Sequence, residues 1–497
     1  MPHEHVCLVI PPSAFLLDER VFMSLGILKV AAMLEKEGVG VDVLDLSGVK
    51  NYPETIAAYA KKWHTTTFGI TATTPQMPAA MIIRNEIKKE RPGSRIILGG
   101  PHATLVAAAE KTEQERGIKN GRGRKALRQL DSFFDVLVYG DGELGIFDAL
   151  AEHAPKFVDA DNPRTKLFLK SSELNELPFP SRHLIDVDSY HYSIDGVPAL
   201  SLIAQLGCPF ECGFCGGRFS PSLRRTRIRS SENVVREMRA MYQAYKRPGF
   251  MLYDDELNVN PKMVELMDQI SALQEELGVE FRLRGFIKAE LFTDQQAEAM
   301  YRAGFRWLLV GFESGDERIL ENINKKATRD DNTRCMEIAR RHGLKVKALM
   351  SIGHPGETEE SVQATQDWLL TVRPDDFDAT VITTYPGTPY YDEAVDDGKG
   401  VWTYTFGKTG GRLHSHDINY LETPDYYKGA PGKYVSHVWT DALSSEKIVM
   451  LRDELETRVR EKLHLQFNQG AVAIQYEHSM GQGGIPANIL RSSKGGS

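Results

Sequence analysis

Hydrophobic residues in the first third of the chain recur in short unbroken runs that alternate with stretches of helical period. Val6-Cys7-Leu8-Val9-Ile10 is a continuous apolar run of strand length, and Phe22 to Glu37 keeps its apolar residues on one helical face up to Gly38. The same couple returns as Val41 to Asp45 before a helix over 53–64, Thr67 to Thr71 before 77–90, Arg95 to Leu98 before 103–116, and Phe134 to Val138 before 143–152. Strands that are apolar throughout must be covered on both faces, so this alternation predicts an α/β domain over residues 1–155, a doubly wound parallel sheet. Ligands of such a sheet bind beyond the carboxyl ends of its strands.

Residues 156–194 contain Pro178 and Pro180 and hold no sustained period, which predicts a linker packed over the surface. The alternation then resumes with a strand from Leu200 to Leu206. It continues as helix 231–246, strand 249–253, helix 261–277, strand 279–285, helix 293–303, strand 306–311, helices within 316–342, strand 344–351, helix 357–372 and strand 376–383. Six such units predict a partial (β/α)6 barrel over 195–398, with its site at the carboxyl ends of the strands. The span 399–497 predicts a small α+β region. It has short alternating runs such as Leu413 to Tyr420, and a helix capped by Ser444 whose face is Ile448, Leu451, Leu455, Val459 and Leu463. Beyond about residue 480 the chain is rich in Gly and Ser, and a disordered tail is expected.

The 497 residues include 60 basic and 68 acidic side chains, a formal net charge of −8, with 41% apolar and 26% charged positions. These values suit two or three globular domains and remove any electrostatic case for a general nucleic-acid binder. No stretch approaches the roughly 20 apolar residues that span a bilayer, and the first residues lack a basic patch followed by an apolar run, so a cytoplasmic protein is expected. Five cysteines, three of them within eight residues, do not look like a disulfide framework and suit a reducing compartment where thiolates hold metal. Cys7, in a strand, and Cys335, in a helix, read as core thiols.

The clustered cysteines lie in Leu206-Gly207-Cys208-Pro209-Phe210-Glu211-Cys212-Gly213-Phe214-Cys215-Gly216-Gly217-Arg218, a Cys-x3-Cys-x2-Cys array. Three thiolates on one loop can hold a four-iron cluster with one iron left open. A structural zinc site would want a fourth Cys or His, and His183 and His191 lie before the array rather than in a ligand-spaced pair after it. A zinc knuckle and three buried thiols are the competing readings. At the strand ends of the first domain stand Thr71, Thr73 and Thr74, then Gly99, Gly100 and His102, then Gly140, Gly142 and Glu143. Glycines allow a large flat ligand to approach the backbone, and hydroxyls and amides can bond its polar rim; the same residues also serve as caps and turns. The Lys- and Arg-rich insert Gly117 to Arg128 reads as a solvated loop.

The cysteine loop and the six repeats, in that order, resemble the radical S-adenosylmethionine (SAM) superfamily, and residues 1–155 resemble the cobalamin-binding domain that precedes many of its members. The resemblance implies a [4Fe-4S] cluster on Cys208, Cys212 and Cys215, with SAM on the fourth iron. Such enzymes cleave SAM to methionine and a 5'-deoxyadenosyl radical that abstracts a hydrogen from a small-molecule substrate. The electron would come from a reducing partner such as flavodoxin or ferredoxin. Phe214 matches the aromatic habit between the second and third cysteines and would shield the cluster. Asp254, Asp255 and Glu256 would meet the SAM ammonium, or cap the next helix. Arg284 and Lys288 would pair with its carboxylate, or stand solvated at the barrel mouth. Glu313 and Ser314, within Gly311 to Gly315, match the stretch that holds the ribose. Gly353 lies near the adenine seat, and His354 beside it either faces substrate or stabilises the turn. The strand-end residues of the first domain would contact cobalamin.

An Asp-x-His-x-x-Gly motif, which supplies a cobalt ligand in other cobalamin proteins, is absent here. His102 then either approaches the corrin or serves as a cap or solvent-facing side chain. The basic run Arg224 to Arg229 either draws an anionic substrate or is a charged loop neutralised by its neighbours. Trp402, His414, His416, His437 and Trp439 are candidates for a segment covering the barrel mouth. The subgroup consists mostly of methyltransferases, so methyl transfer to an unactivated carbon is the expected activity. Cyclisation, rearrangement, dehydration or redox chemistry without methyl transfer is the alternative. A non-catalytic metal- or corrinoid-binding protein would instead need a closed metal site.

Overall fold

The computed structural model describes residues 5–13, 19–119, 121–423, 435–466 and 490–492. The first domain runs β1 (His5–Ile10), α1 (Leu25–Lys36), β2 (Gly40–Asp45), α2 (Tyr52–Lys62), β3 (Thr67–Thr71), α3 (Met77–Glu90), β4 (Arg95–Gly99), α4 (Pro101–Glu115), α5 (Arg122–Phe133), β5 (Val136–Gly140), α6 (Gly142–Leu150) and β6 (Phe157–Ala160). The six strands are parallel in the order β2-β1-β3-β4-β5-β6, so the chain changes direction across the sheet between β1 and β3. That switch opens a crevice at the strand ends.

Three expectations change in this region. The segment read as a solvated loop contains most of α5, because the buried Glu113 carboxylate accepts the Gly123 and Arg124 amides at 2.6 and 2.8 Å and caps the helix. The span read as a surface linker begins with β6. Further along it buries Leu184, Ile185, Val187 and Tyr190, and the Tyr190 hydroxyl donates to Asp45 at 2.8 Å. Its apolar residues are irregularly spaced, which hides their burial from any test of period. In the expected disordered tail, Leu490–Ser492 pairs antiparallel with β2; the rest of that tail lies outside the described residues.

The second domain is built from β7 (Ser193–Ile194), β8 (Val197–Leu202), β9 (Gln205–Leu206), β10 (Arg227–Ile228), β11 (Gly249–Leu252), β12 (Arg282–Ile287), β13 (Phe305–Glu313), β14 (Lys345–Ile352) and β15 (Asp376–Val381). Strands β8 and β11 to β15 form the six parallel strands of the predicted partial barrel, and β7 adds an antiparallel edge. The expected first strand is split. β8 ends at Leu202, and β9 pairs antiparallel with β10, with Leu206 opposite Arg227, so a short ladder closes the base of the cysteine loop. The far edge is covered too. Helix Ser445–Leu463 sends Arg452 to the Ala379 carbonyl at 2.7 Å and Glu456 to the Ala379 amide at 2.6 Å, satisfying β15 where a further strand would pair. One continuous apolar core joins one face of the first sheet to the barrel, running from Leu8 and Ile27 through Leu184 to Leu200, Phe250 and Phe312.

The C-terminal region forms a four-stranded antiparallel sheet of Val395–Asp396, Val401–Thr405, Arg412–His416 and Val438–Trp439, followed by the final helix. Ser444 caps that helix by accepting the Lys447 amide at 3.3 Å.

Candidate active site

The cysteine loop is held by its own neighbours. Gly207 takes φ +80°, and an added Cβ there would meet the Arg225 carbonyl at 2.4 Å, so only glycine lets the two limbs close. The Arg224 guanidinium lies inside the loop and donates to the carbonyls of Cys208 (3.2 Å), Phe210, Cys215 (3.5 Å) and Gly216 (3.4 Å). The basic run is thus structural. Arg224 orders the loop, Arg227 pairs with Asp141, and Arg229 pairs with the buried Glu237 at 2.6 Å. From the other side, Gly213 donates to the Ile323 carbonyl at 2.8 Å and accepts the Tyr390 amide at 3.1 Å.

All three clustered cysteines line a cavity of about 590 Å³ on the concave face of the barrel, beside Phe210 and Phe214. They are free thiols, as are Cys7 and Cys335, which are buried in the core as expected. Burial pushes Cys208 up to about 12 and Cys215 up to about 11, and raises Cys212 as well, so these thiols would need the positive charge of a bound metal to be held as thiolates. Among the described residues no three His, Cys, Asp or Glu side chains surround a single-ion position. A cluster asks for something different, since each thiolate binds a separate iron. The donor set therefore fits a three-thiolate cluster, and the cavity wall holds no fourth Cys or His to close a zinc site.

Of the residues matched to SAM binding, Phe214, Asp255, Glu256, Arg284, Lys288 and Glu313 line this cavity. Glu256 carries a buried carboxylate oxygen with no hydrogen-bond partner, and burial pushes its carboxyl up to about 7. An ammonium brought to it would pair that oxygen. Glu313 sits at φ +65°, beyond a register shift that follows Gly311, and this conformation turns its carboxylate into the cavity. The strain is of order 1–3 kcal/mol. Lys325 at 3.1 Å and the Ser351 hydroxyl at 2.7 Å hold it there.

Three matched residues are placed elsewhere. Asp254 turns away and accepts the Ala204 and Gln205 amides at 2.7 and 2.6 Å, a staple at the end of β8; burial pushes it up to about 7. Ser314 bonds Thr365 at 3.1 Å, and Gly353, at φ +98°, faces Ile382, Val438 and Ile448 beneath the C-terminal region. Arg284 and Lys288 share a face but stand four residues apart, about 13 Å along the strand, too far for one carboxylate. Lys288 pairs with Glu290 at 2.6 Å and lies 4.2 Å over the Phe210 ring.

His354 is buried and does not reach the cavity. Its Nε2 lies 2.7 Å from Ser351 Oγ and its Nδ1 3.2 Å from the Tyr390 hydroxyl. Burial, with help from Lys325, pushes its pKa down to about 3. With neutral imidazole the donors run one way: Tyr390 to Nδ1, Nε2 to Ser351, Ser351 to Glu313. The chain of hydrogen bonds reaches from beneath the cysteine loop to the Glu313 carboxylate. Lys325, Tyr390 and this role of Ser351 carried no local signal in the sequence, because their partners lie far away along the chain.

A second cavity, about 360 Å³, opens at the β1/β3 switch of the first domain. Thr71, Thr73, Gly99, Gly100, Gly140, Gly142 and Glu143 line it, with apolar walls from Leu8, Ile27, Ile97 and Val138. A Cβ on Gly99 would find nothing nearer than 3.9 Å and would project into this space. The glycine floor and apolar walls fit a large flat ligand. Thr74 and His102 lie outside it: His102 is buried, not solvent-facing, with Nδ1 3.0 Å from Thr74 Oγ1. The cavity wall includes no histidine. Leu206, Ser222, Leu223 and Arg227 of the barrel form its far side, so the cavity abuts the base of the cysteine loop. Of the C-terminal aromatic and histidine candidates, His414 and His416 pack on Trp439, and Trp402 packs on Arg122. His416 and His414 lie 4.6 and 5.7 Å from Trp439, and Arg122 lies 4.4 Å over Trp402.

Residues 202–369 match the family model described as the Radical SAM superfamily, and residues 19–131 match the B12 binding domain. An uncharacterized methyltransferase of Pyrococcus horikoshii is 28% identical over 397 residues, covering 78% of this chain and 83% of that protein. The bacteriochlorophyllide d C-12(1)-methyltransferase of Chlorobaculum tepidum is 27% identical over 261 residues, covering 48% of this chain and 55% of that one. Among solved structures, the radical S-adenosylmethionine methyltransferase TsrM from Kitasatospora setae, with cobalamin and a [4Fe-4S] cluster bound, has a TM-score of 0.60 at 17% identity. It covers 93% of this chain and 100% of its own. At that identity the likeness is one of fold.

Proposed function

We propose, the chain being a member of the radical SAM superfamily with a cobalamin-binding domain, that it transfers a methyl group to an unactivated carbon of a small organic substrate. The observation that carries this reading is the adjacency of the two cavities: Leu206 and Arg227, which close the cysteine loop, are also wall residues of the glycine-floored cavity. When bound, the cluster supplies an electron to SAM, and cobalamin supplies a carrier for the methyl group. Cys208, Cys212 and Cys215 would hold the cluster, with Arg224 fixing the loop. Glu256 and Asp255 would take the SAM ammonium, and Glu313 would accept hydrogen bonds from its ribose. Thr71, Thr73, Gly99, Gly100, Gly140, Gly142 and Glu143 would seat cobalamin. A one-electron donor such as flavodoxin or ferredoxin completes the system. The setting is cytoplasmic, in keeping with the free thiols and with the described residues forming no helix long and apolar enough to cross a membrane.

The test is anaerobic reconstitution with iron and sulfide, followed by cobalamin, SAM and reductant. Cluster absorbance, 5'-deoxyadenosine and S-adenosylhomocysteine are expected together. Replacing any one of the three loop cysteines with Ala should abolish the absorbance. Retained absorbance and SAM cleavage in those variants would refute the ligand assignment, and deoxyadenosine without homocysteine product would remove methyl transfer in favour of another radical reaction.

A further inference from the structure

The wall of the thiol cavity includes four cations besides Arg224, and three of them are paired with carboxylates. Lys288 stands 2.6 Å from Glu290, Lys325 stands 3.1 Å from Glu313, and Lys347 stands 2.9 Å from both Asp376 and Asp378. Arg284 differs. Among the described residues its guanidinium has one polar partner, the Tyr192 hydroxyl at 3.3 Å, and its Nε is buried with no hydrogen-bond partner. The Trp307 ring, 5.8 Å away, gives it a weak cation–π contact, but no carboxylate among the described residues stands within ion-pair reach, so this guanidinium lacks a counter-charge.

The space above Arg284 is aromatic. Phe22, from the first domain, lies 4.8 Å from Tyr192 and 5.0 Å from Tyr253, and Tyr253 lies 6.1 Å from Phe286. All four rings line the cavity of the three thiols, with Met251, Leu309 and Leu349 beside them. Tyr253 is 46% exposed although it sits among these rings, which leaves an open slot rather than a packed core. Along β12, Arg284 lies about 13 Å from Lys288 at the cluster end, room for a body of one or two rings between them.

We infer that the substrate is a flat aromatic carboxylic acid, its carboxylate on Arg284 and the Tyr192 hydroxyl and its ring system in the slot toward the thiols. The planar guanidinium fork suits a carboxylate, and the rings suit a flat apolar body. This rests on the proposed function, which makes this cavity the place of reaction.

Equilibrium dialysis of the reconstituted, cobalamin-loaded full chain tests it, with indole-3-propionate and the neutral indole-3-propionamide as probes and SAM dialysed separately. At neutral pH the acid should bind roughly 10-fold or more tighter than the amide, the usual worth of a charge-assisted hydrogen bond. Arg284→Gln should bring the acid down to the amide's level and leave SAM binding unchanged, and Tyr192→Phe should weaken the acid alone. Equal binding of acid and amide to the wild-type protein overturns the inference without any variant. So does acid binding that survives Arg284→Gln, or a loss of SAM binding as large as the loss of acid. If the acid is discriminated through Arg284 while SAM is never cleaved, the acid site stands and the proposed reaction falls.

Discussion

Gly213, between two of the thiols, shows how tightly single residues constrain the site. An added Cβ would lie 2.3 Å from Cε1 and 3.0 Å from Cζ of Tyr390, whose ring is fully enclosed and whose hydroxyl meets His354. The ring cannot swing away without breaking the hydrogen bonds that end at Glu313. Gly213→Ala should therefore destabilise the metal-free protein by about 1–3 kcal/mol, the usual cost of overpacking. Thermal unfolding measures it, and an unchanged midpoint would mean that Tyr390 is not fixed as described. At this scale the sequence was legible where chemistry is local. The Cys-x3-Cys-x2-Cys spacing alone located the loop, and the stretch Gly311 to Gly315 stood out by its resemblance to the family's ribose-binding segment. Tyr390 was not legible, because nothing in its neighbourhood says that it will pack under a glycine at position 213.

Among the elements, α4 links the strand-end loops of the first cavity. Its second residue, His102, donates its amide to the Ala72 carbonyl at 3.0 Å while its ring meets Thr74, tying the end of β3 to the start of the helix. Burial pushes this imidazole down to about 3, so it is neutral in the folded protein. The sign follows. A folded-state pKa below the ordinary value of 6.5 gives stability that is present above pH 6.5 and lost as pH falls toward 3, because only the unfolded chain takes up the proton. Between pH 6 and 4 the wild-type protein should lose about 1.4 kcal/mol per pH unit more than His102→Gln. Urea midpoints across that range give the difference directly. Parallel slopes for the two proteins would show that the ring is not buried in its neutral form. The elements themselves were legible wherever their period was clean: all six parallel barrel strands were found. α5 was missed because its Lys and Arg residues are as many as its apolar ones and crowd its first turns, although Ala126, Leu127 and Leu130 pack on the core. The linker was misjudged for the related reason that burial there has no period.

Across the whole molecule the glycine-floored cavity is tied to the base of the cysteine loop by one ion pair, Asp141 with Arg227, both nearly enclosed. Asp141 is the residue before α6 and lines the glycine-floored cavity, where it also accepts the Leu169 amide at 2.9 Å. Burial pushes it up to about 6, against the pull of Arg227. Arg227 belongs to β10 and pairs with Leu206 in the ladder that closes the cysteine loop; it also donates to the carbonyls of Leu169 and Ser222, each at 2.9 Å. A shift of this pair therefore moves a wall of one cavity and the base of the loop beside the other. Removing one partner leaves a buried charge uncompensated, at a cost of about 3–5 kcal/mol, while removing both does not. Asp141→Ala and Arg227→Met should each weaken cobalamin retention and each reduce the iron content of the reconstituted protein. The double variant should lose less than the sum of the two. Cobalamin retention and iron measured over the four proteins of this cycle decide the matter: additive losses, or a loss of cobalamin with full iron in Arg227→Met, would show that the two cavities are neighbours without being coupled.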